Sequence, residues 1–392
     1  MFIEVKNTHT FSAPAEPRVW LYKVKCQYPK KCTFFTSLTE KPYNLMAGLT
    51  LFSGMKKIVF FLCVAVWVFS CGHKRNLPDV SGINIQLDTL RFDKDFFSMD
   101  TTSIEASLDA LQKKYPKFIN DYLYGELEIQ QNKDSVIKQV KLFINEYKDA
   151  YTFTAAKYPS IQKVQADVKG AFQFIKYYFP TYKLPTSLIT FIGPWNGDNS
   201  IYTSDAIGAG LQMYLGKDFQ VYNTPWYVSD IHATYQSRRF EPEYIATDCI
   251  KNIILDIYPE GKANLPLAYQ MVEAGKRMYV LDYLMPETPD TIKIGYTQKQ
   301  LKGCYDNEAA VWNYFVQNDN LLYTTDPGQT KDYMADGPKT EALGDESPGF
   351  IGQFVGWQIV KKWMAQDDKR SLITLLQTPP KQIFEEAKYK PR

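Results

Sequence analysis

The sequence predicts an α+β fold that is mostly helical, with a small β-sheet set between two runs of helices. Three observations carry this prediction. Apolar residues recur at helical spacing before residue 184 and after residue 242. Between them, LPTSLITFIG and IYTSDAIGAGLQMYL are rich in Ile, Thr, Tyr and Leu and flank the turn cluster GPWNGDNS, as strands in a hairpin or a neighbouring pair would. Tyr, Phe and Trp make up 15% of the chain, which fits a large packed body rather than a stalk.

The most apolar run, Ile58 to Ser70, is roughly 13 residues long, short of the about 20 that a helix needs to cross a bilayer. Met55-Lys56-Lys57 stands before it and Val68-Phe69-Ser70-Cys71 closes it, giving the basic start, apolar centre and processing point of an export signal. Those last four residues are similar to the lipobox of bacterial lipoproteins, where an aliphatic and a small residue precede a cysteine whose thiol is acylated. Phe69 departs from that pattern, which usually has a small residue there. The alternative is a buried core helix in which Cys71 is only a small hydrophobe. The lipoprotein reading assigns 55–70 to the signal peptide, Cys71 to lipid attachment, 71–84 to a polar tether containing GHKRNLPDVSG, and 85–392 to a single globular domain. Residues 1–54 would then lie upstream of a signal that is read at the start of a chain, so translation is expected to begin at Met55.

Removing the precursor changes the charge. Residues 1–70 hold 9 Lys and Arg against 3 Asp and Glu, so the 45 basic and 43 acidic residues of the chain become 36 and 40, a net −4. No basic surplus remains to neutralise phosphates, and nucleic acid is not an expected partner. Of the cysteines, Cys26, Cys32 and Cys63 leave with the precursor, and Cys249 and Cys304 remain in the body. Two cysteines on predicted helices read as separate buried thiols rather than a disulfide, and they cannot build a zinc ribbon.

In chain order, IEASLDALQKKYPKFINDYL opens after Thr102 and Ser103, plausible N-caps, with Ile104, Leu108, Leu111 and Tyr115 on one helical face. SVIKQVKLFINEYKDAY and IQKVQADVKGAFQFIKYYF repeat that pattern, with lysines on the wet face. The strand region follows. The second half is again helical: PEYIATDCIKNIILDIY, LPLAYQMVEAGKRMYVLDYL, TQKQLKGCYDNEAAVWNYFVQ, SPGFIGQFVGWQIVKKWM and a terminal PPKQIFEEAKYK.

Histidines restrict the chemistry. Past Cys71 there is His73 in the tether and His232 in the fold, so no HExxH helix exists, and His232 has no G-x-S-x-G serine to serve. Gly208, Gly210 and Gly216 invite a phosphate-loop reading, but Met213 stands where a third fingerprint glycine belongs, and close backbone packing explains them better. Glu273 and Glu308 lie beside apolar faces, where a raised pKa would make an acid or base. The structural alternative for Glu273 is an ion pair with Lys276 or Arg277 one turn on. Gly349, Gly352 and Gly356 fall on one face of a helix announced by Ser347 and Pro348. Each costs roughly 1 kcal/mol against alanine, so close approach of another backbone should repay it. That approach would come from the protein's own core or from a docking partner.

TFIGPWNG, GAGLQMYLG, EPEYIATDCIKNII, MVEAGKRMYVLDYLMP, CYDNEAAVWNYF and SPGFIGQFVGWQIVKKWM, in this order behind a lipobox, resemble the gliding-motility lipoprotein GldB family of the Bacteroidota. The resemblance covers Met55 to Arg392. It implies a lipid-anchored cell-envelope protein required for gliding motility and for assembly or stability of the gliding and type IX secretion machinery. Its partners would be the other envelope proteins of that machinery and the membrane, with no enzymatic activity, no cofactor and no metal. Gly72 after the cysteine, and the absence of an acidic run behind it, imply an outer-membrane anchor with the body on the periplasmic face. The same segments are more distantly similar to zincin-like peptidases, with Glu273-Ala274-Gly275 at the place of a third metal ligand and IATDC about where HExxH would stand. Ile245, Cys249, Ile250, Ile253 and Ile257 make that helix a packing face instead, implying a degenerate scaffold. The rival function is an envelope hydrolase, acting on peptide or glycan, that uses Glu273 and Glu308.

Overall fold

A computed structural model of the chain describes residues 77–261, 264–318 and 320–392. Residues 1–54, the expected signal 55–70, the lipid-attachment candidate Cys71 and His73 lie outside the described residues. Within the stretch read as tether, Val80 is already buried and Gln173 donates to the Ile83 carbonyl, so packing starts ahead of residue 85.

The sheet has four strands in the order β1-β2-β4-β3: β1 Asp88–Arg91, β2 Ser187–Phe191, β3 Ser200–Tyr202 and β4 Ala206–Gly210. Parallel pairing joins β1 to β2 and β2 to β4, while β3 runs antiparallel at the edge. The sequence expectation is corrected here in two respects. β1, four half-exposed residues reading DTLR, carries no alternation from which to infer it. Of the two alternatives for the strand region, the neighbouring pair holds through β2 and β4, whereas GPWNGDNS does not close a hairpin, because it leads from β2 to β3 while β4 sits between them. The true hairpin turn lies inside the second run, where the Thr203 amide donates to the Ala206 carbonyl at 2.9 Å.

Both faces of the sheet are covered, which is why β2 and β4 read as nearly continuous apolar runs. Ile189, Phe191 and Ala206 face a first core built from α1 Phe92–Phe97, α2 Ile104–Lys114 and α3 Lys133–Glu146. Helix α4 Lys148–Lys157 follows directly on α3. Leu188, Ile207 and Ala209 face the main core with α5 Gln162–Tyr178 and α6 Ile245–Ile257. Behind these lie α7 Leu267–Leu284, α8 Gln298–Asp306, α9 Glu308–Gln317, α10 Ile351–Met364, α11 Leu372–Gln377 and α12 Pro380–Ala387. Among the described residues no helix is long and apolar enough to cross a membrane.

Several predicted helices are shorter or divided, for local reasons. The first stops at Lys114 because Pro116 cannot continue it, and the chain passes instead into a π-helical turn, Asp121–Glu126. Ser103 makes no side-chain cap; its hydroxyl donates instead to Asp100, which also accepts from the Thr102 amide and hydroxyl in the turn ahead of the helix. The run from Thr297 to Gln317 divides at Asn307 into α8 and α9. Helix α10 begins at Ile351 after a left-handed Phe350, so Gly349 lies outside it, pressed against the backbone of Gly337.

Gly352 and Gly356 do lie in α10, and their counterpart is Gly275 in α7. A Cβ at Gly275 would sit 2.2 Å from the Gly356 carbonyl oxygen, and one at Gly356 would sit 1.6 Å from that of Met271. The approach that the glycine strip required is therefore made by the protein's own core. Beside it Trp357 donates to Asp282 at 2.8 Å, and Asp282 pairs with buried Lys293 at 3.1 Å.

Candidate functional site

The two carboxylates singled out in the sequence are not brought together. Glu273 sits in α7, 6% exposed, with both oxygens engaged: Lys276 donates to Oε1 at 2.9 Å and Tyr258 to Oε2 at 2.7 Å. Lys276, itself 1% exposed, also donates to the Tyr258 hydroxyl and the Thr378 carbonyl. Glu308 opens α9 and accepts from Tyr389. The i+3 ion pair is thus the role Glu273 fills. His232 lies between the rings of Tyr227 and Phe240; burial lowers its pKa, and its Nε2 makes no hydrogen bond, so no triad forms around it. Cys249 and Cys304 are separate buried thiols, each pushed by burial up to about 12. Gly208 and Gly210 are packed against Phe118, Phe191 and the Asp198 carbonyl, while Gly216 is a left-handed turn residue. No phosphate loop is built there.

A different site emerges at the carboxyl ends of β2 and β4. Pro116 and the π-helical turn deliver two side chains beneath the loop that follows β2; such turns recur at functional positions. Tyr122, fully buried, donates to the Ile192 carbonyl at 2.7 Å. Four residues later Glu126 enters a slot between Gly193 and Gly197: a Cβ on either glycine would lie 2.2 Å from Glu126 Oε1. Only glycine fits at both positions while the carboxyl is there. The Asp198 amide donates to Oε2 at a long 3.4 Å, and Oε1 has no partner. Gln212, fully buried behind Gly193, likewise leaves its carbonyl oxygen unpaired. The loop is further tied by the Trp195 amide donating to the Tyr147 hydroxyl at 3.1 Å, and the Trp195 ring packs on Tyr147, Tyr222 and Tyr227.

Glu126 forms part of the wall of a cleft of about 550 Å³ whose other polar groups come from Asn120, Asp121, Tyr124, Gln131 and Asp198. The carboxyl ends of parallel strands are where open sheets of this kind receive ligands. Burial is the main cause that raises the Glu126 pKa from the ordinary 4.5 to about 7; the Asp198 amide opposes it, and the charges of Asp198 and Glu128 add to it. The group can therefore hold or release a proton near neutral pH, as an acid, a base or a switchable charge.

That placement has a measurable cost. A carboxyl whose pKa is raised by folding weakens the native state as it ionises. The cost is absent below about pH 4.5, grows between the two pKa values and is complete above about pH 7. A displacement of that size corresponds to about 3 kcal/mol, and about 2 kcal/mol once solvent at the cleft is allowed for. Glu126→Gln is expected to raise stability by about 2 kcal/mol at pH 8 and to change little at pH 4. Urea titrations at the two pH values test this, and equal effects at both would refute it.

Glu126 was not legible in the sequence. The one available signal was Gly193 and Gly197 four residues apart in GPWNG, which reads as an ordinary turn; nothing local says that the side chain between them comes from residue 126. Comparison with known families matches residues 73–391, well over half the chain, to the family described as gliding motility protein GldB. No match is found among curated proteins or among solved structures.

Proposed function

The chain belongs to the GldB gliding-motility family, and from that premise we propose that it is a lipid-anchored envelope protein that assembles or stabilises the gliding and type IX secretion machinery. The observation that carries this reading is where the family match begins: residue 73, two positions past Cys71, and it runs on through the folded body. Residues 55–70 are then read as the export signal and Cys71 as the attachment site. A single acyl chain binds membranes only marginally, so a multiply acylated cysteine is the form that would hold the body firmly. The anchor is read as lying in the outer membrane with the body on the periplasmic face, where the other proteins of the apparatus are its partners.

The body is read as a scaffold rather than a catalyst, related to zincin-like peptidases with the metal site replaced. In support, Glu273, at the place of a third metal ligand, is taken up by Lys276 and Tyr258. Asp248, within IATDC, accepts from Asn199 and Tyr214. About one tightly held zinc per purified chain would overturn that part of the reading.

The deciding experiment is Cys71→Ser in a cell lacking the native protein. The expected result is a folded body at normal abundance that no longer sediments with membranes, and cells that do not glide. A variant that remains in the membrane fraction and restores motility would remove Cys71 as the anchor.

A further inference from the structure

We propose that the loop from Gly193 to Asp198 is a pH-operated latch, closed over Glu126 while that carboxyl keeps its proton and released, with Trp195, once the proton is lost. The first ground is that the closed loop has no place for an anion. Glu126 is 8% exposed, and its Oε1 is shut away without a partner between Gly193 and Gly197. Its other oxygen has only the long contact to the Asp198 amide at 3.4 Å. A neutral carboxyl is tolerated there at modest cost, whereas a carboxylate would have neither water nor a countercharge.

The neighbouring groups cannot supply one. Those that face Glu126 are Asp121, Tyr122, Tyr124 and Glu128 from its own segment, Asp198 from the loop and neutral Gln212 from the turn after β4. Tyr147, between α3 and α4, stands behind Tyr122 and the Trp195 amide. Among the described residues no Lys or Arg lines the site. The side chain is fixed in a slot that only glycines leave open, so an ionised Glu126 reaches water by displacing its cover.

The second ground is how lightly that cover is held. Apart from the Asp198 contact, its hydrogen bonds to the body are the Trp195 amide to the Tyr147 hydroxyl at 3.1 Å and Gln212 to the Pro194 carbonyl at 3.5 Å. Both ends are fixed by shorter bonds, from Tyr122 to the Ile192 carbonyl at 2.7 Å and from the Gly210 amide to the Asn199 carbonyl at 3.0 Å. The residues between can open without disturbing the sheet. Burial is the main cause that holds the Glu126 pKa at about 7 in the closed loop, against the ordinary 4.5 regained on opening. The closed form is therefore fully favoured below about pH 4.5, loses ground between the two values and is weakest above about pH 7. Opening lifts the Trp195 ring from Tyr147, Tyr222 and Tyr227 and leaves that aromatic bed uncovered.

The test is hydrogen exchange on the full chain in neutral detergent, followed by mass spectrometry at about pH 5 and about pH 8 and corrected for the intrinsic effect of pH. The amides of Trp195 to Asp198 are expected to lose at least about tenfold in protection at the higher pH, and to exchange faster than those of α7 at both. Glu126→Gln should keep the loop equally protected at the two pH values. Asp198→Asn should reduce the loss, because its charge is one of those that raise the Glu126 pKa. Tryptophan emission gives a second readout, a red shift over the same pH range that is missing from Trp195→Phe. Equal protection of the parent loop at both pH values, the same loss in a folded Glu126→Gln protein, or loop exchange no faster than that of α7 would each overturn the proposal.

Discussion

Gly356→Ala is expected to lose about 4 kcal/mol or more, enough to consume most of the stability of a typical domain. The reason is that α7 and α10 touch backbone to backbone. The added methyl would sit 1.6 Å from the Met271 carbonyl oxygen and 2.3 Å from its carbon, and neither atom belongs to a flexible side chain that can move aside. Relief requires the helices to separate, and separation breaks the fit of Gly275 against the Gly356 carbonyl, the seat of fully buried Trp357 and its bond to Asp282. Gly275→Ala attacks the same contact from the other side, so the double variant should be little worse than either single one. Gly170→Ala is the control: it lies inside α5, and nothing comes within 4 Å of the added atom. With no clash to pay, alanine there should stabilise by about 0.5–1 kcal/mol through helix propensity and a less flexible unfolded chain. Urea denaturation of the variants decides the matter: a Gly356→Ala protein within 1 kcal/mol of the parent would show that the helices are not in this contact.

What could be read from the sequence, and what could not, follows from how far each determinant reaches along the chain. The glycine strip was visible because three glycines in one helical pattern are expensive locally, whatever they meet. Its partner Gly275 was hidden within MVEAGKRMY, where a single glycine has no such signature. The amphipathic faces of α5 and α6 were legible for the same local reason, with Val168, Phe172 and Ile175 and then Ile245, Cys249 and Ile253 buried at helical spacing. Strand pairing was not legible. β1 and β2 are separated by the five helices α1–α5, and the choice between a hairpin and parallel neighbours is made by those helices covering both sheet faces. The left-handed Phe350 displaced the start of α10 past the Ser347-Pro348 signal, because the chain there bends to seat Gly349 on Gly337. The Glu126 site depends on a π-helical turn, two glycines and an amide drawn from three segments, so no single stretch of sequence could announce it.

Glu273→Ala is expected to lose about 3 kcal/mol, and the loss should be mostly recovered in Glu273→Ala with Lys276→Met. Removing the carboxylate alone leaves Lys276, 1% exposed, as a buried ammonium facing only the Tyr258 hydroxyl and the Thr378 carbonyl. Burial already lowers its pKa while Glu273 is present to oppose that. Uncompensated, it must shed its proton or unseat the start of α12, whereas breaking a buried pair from both sides is often close to neutral. This bears on how a hydrolase role for Glu273 and Glu308 is tested. A motility defect in Glu273→Ala alone would report a damaged fold, since the carboxylate is a structural partner before it is anything else. Glu273→Ala with Lys276→Met removes the carboxylate while relieving the stranded charge, and Glu308→Ala removes only an acceptor for Tyr389 on a half-buried surface. A triple variant present at normal abundance that restores gliding in a deletion strain would exclude catalysis through these carboxylates. The same abundant variant failing to restore gliding would return both groups to the functional site.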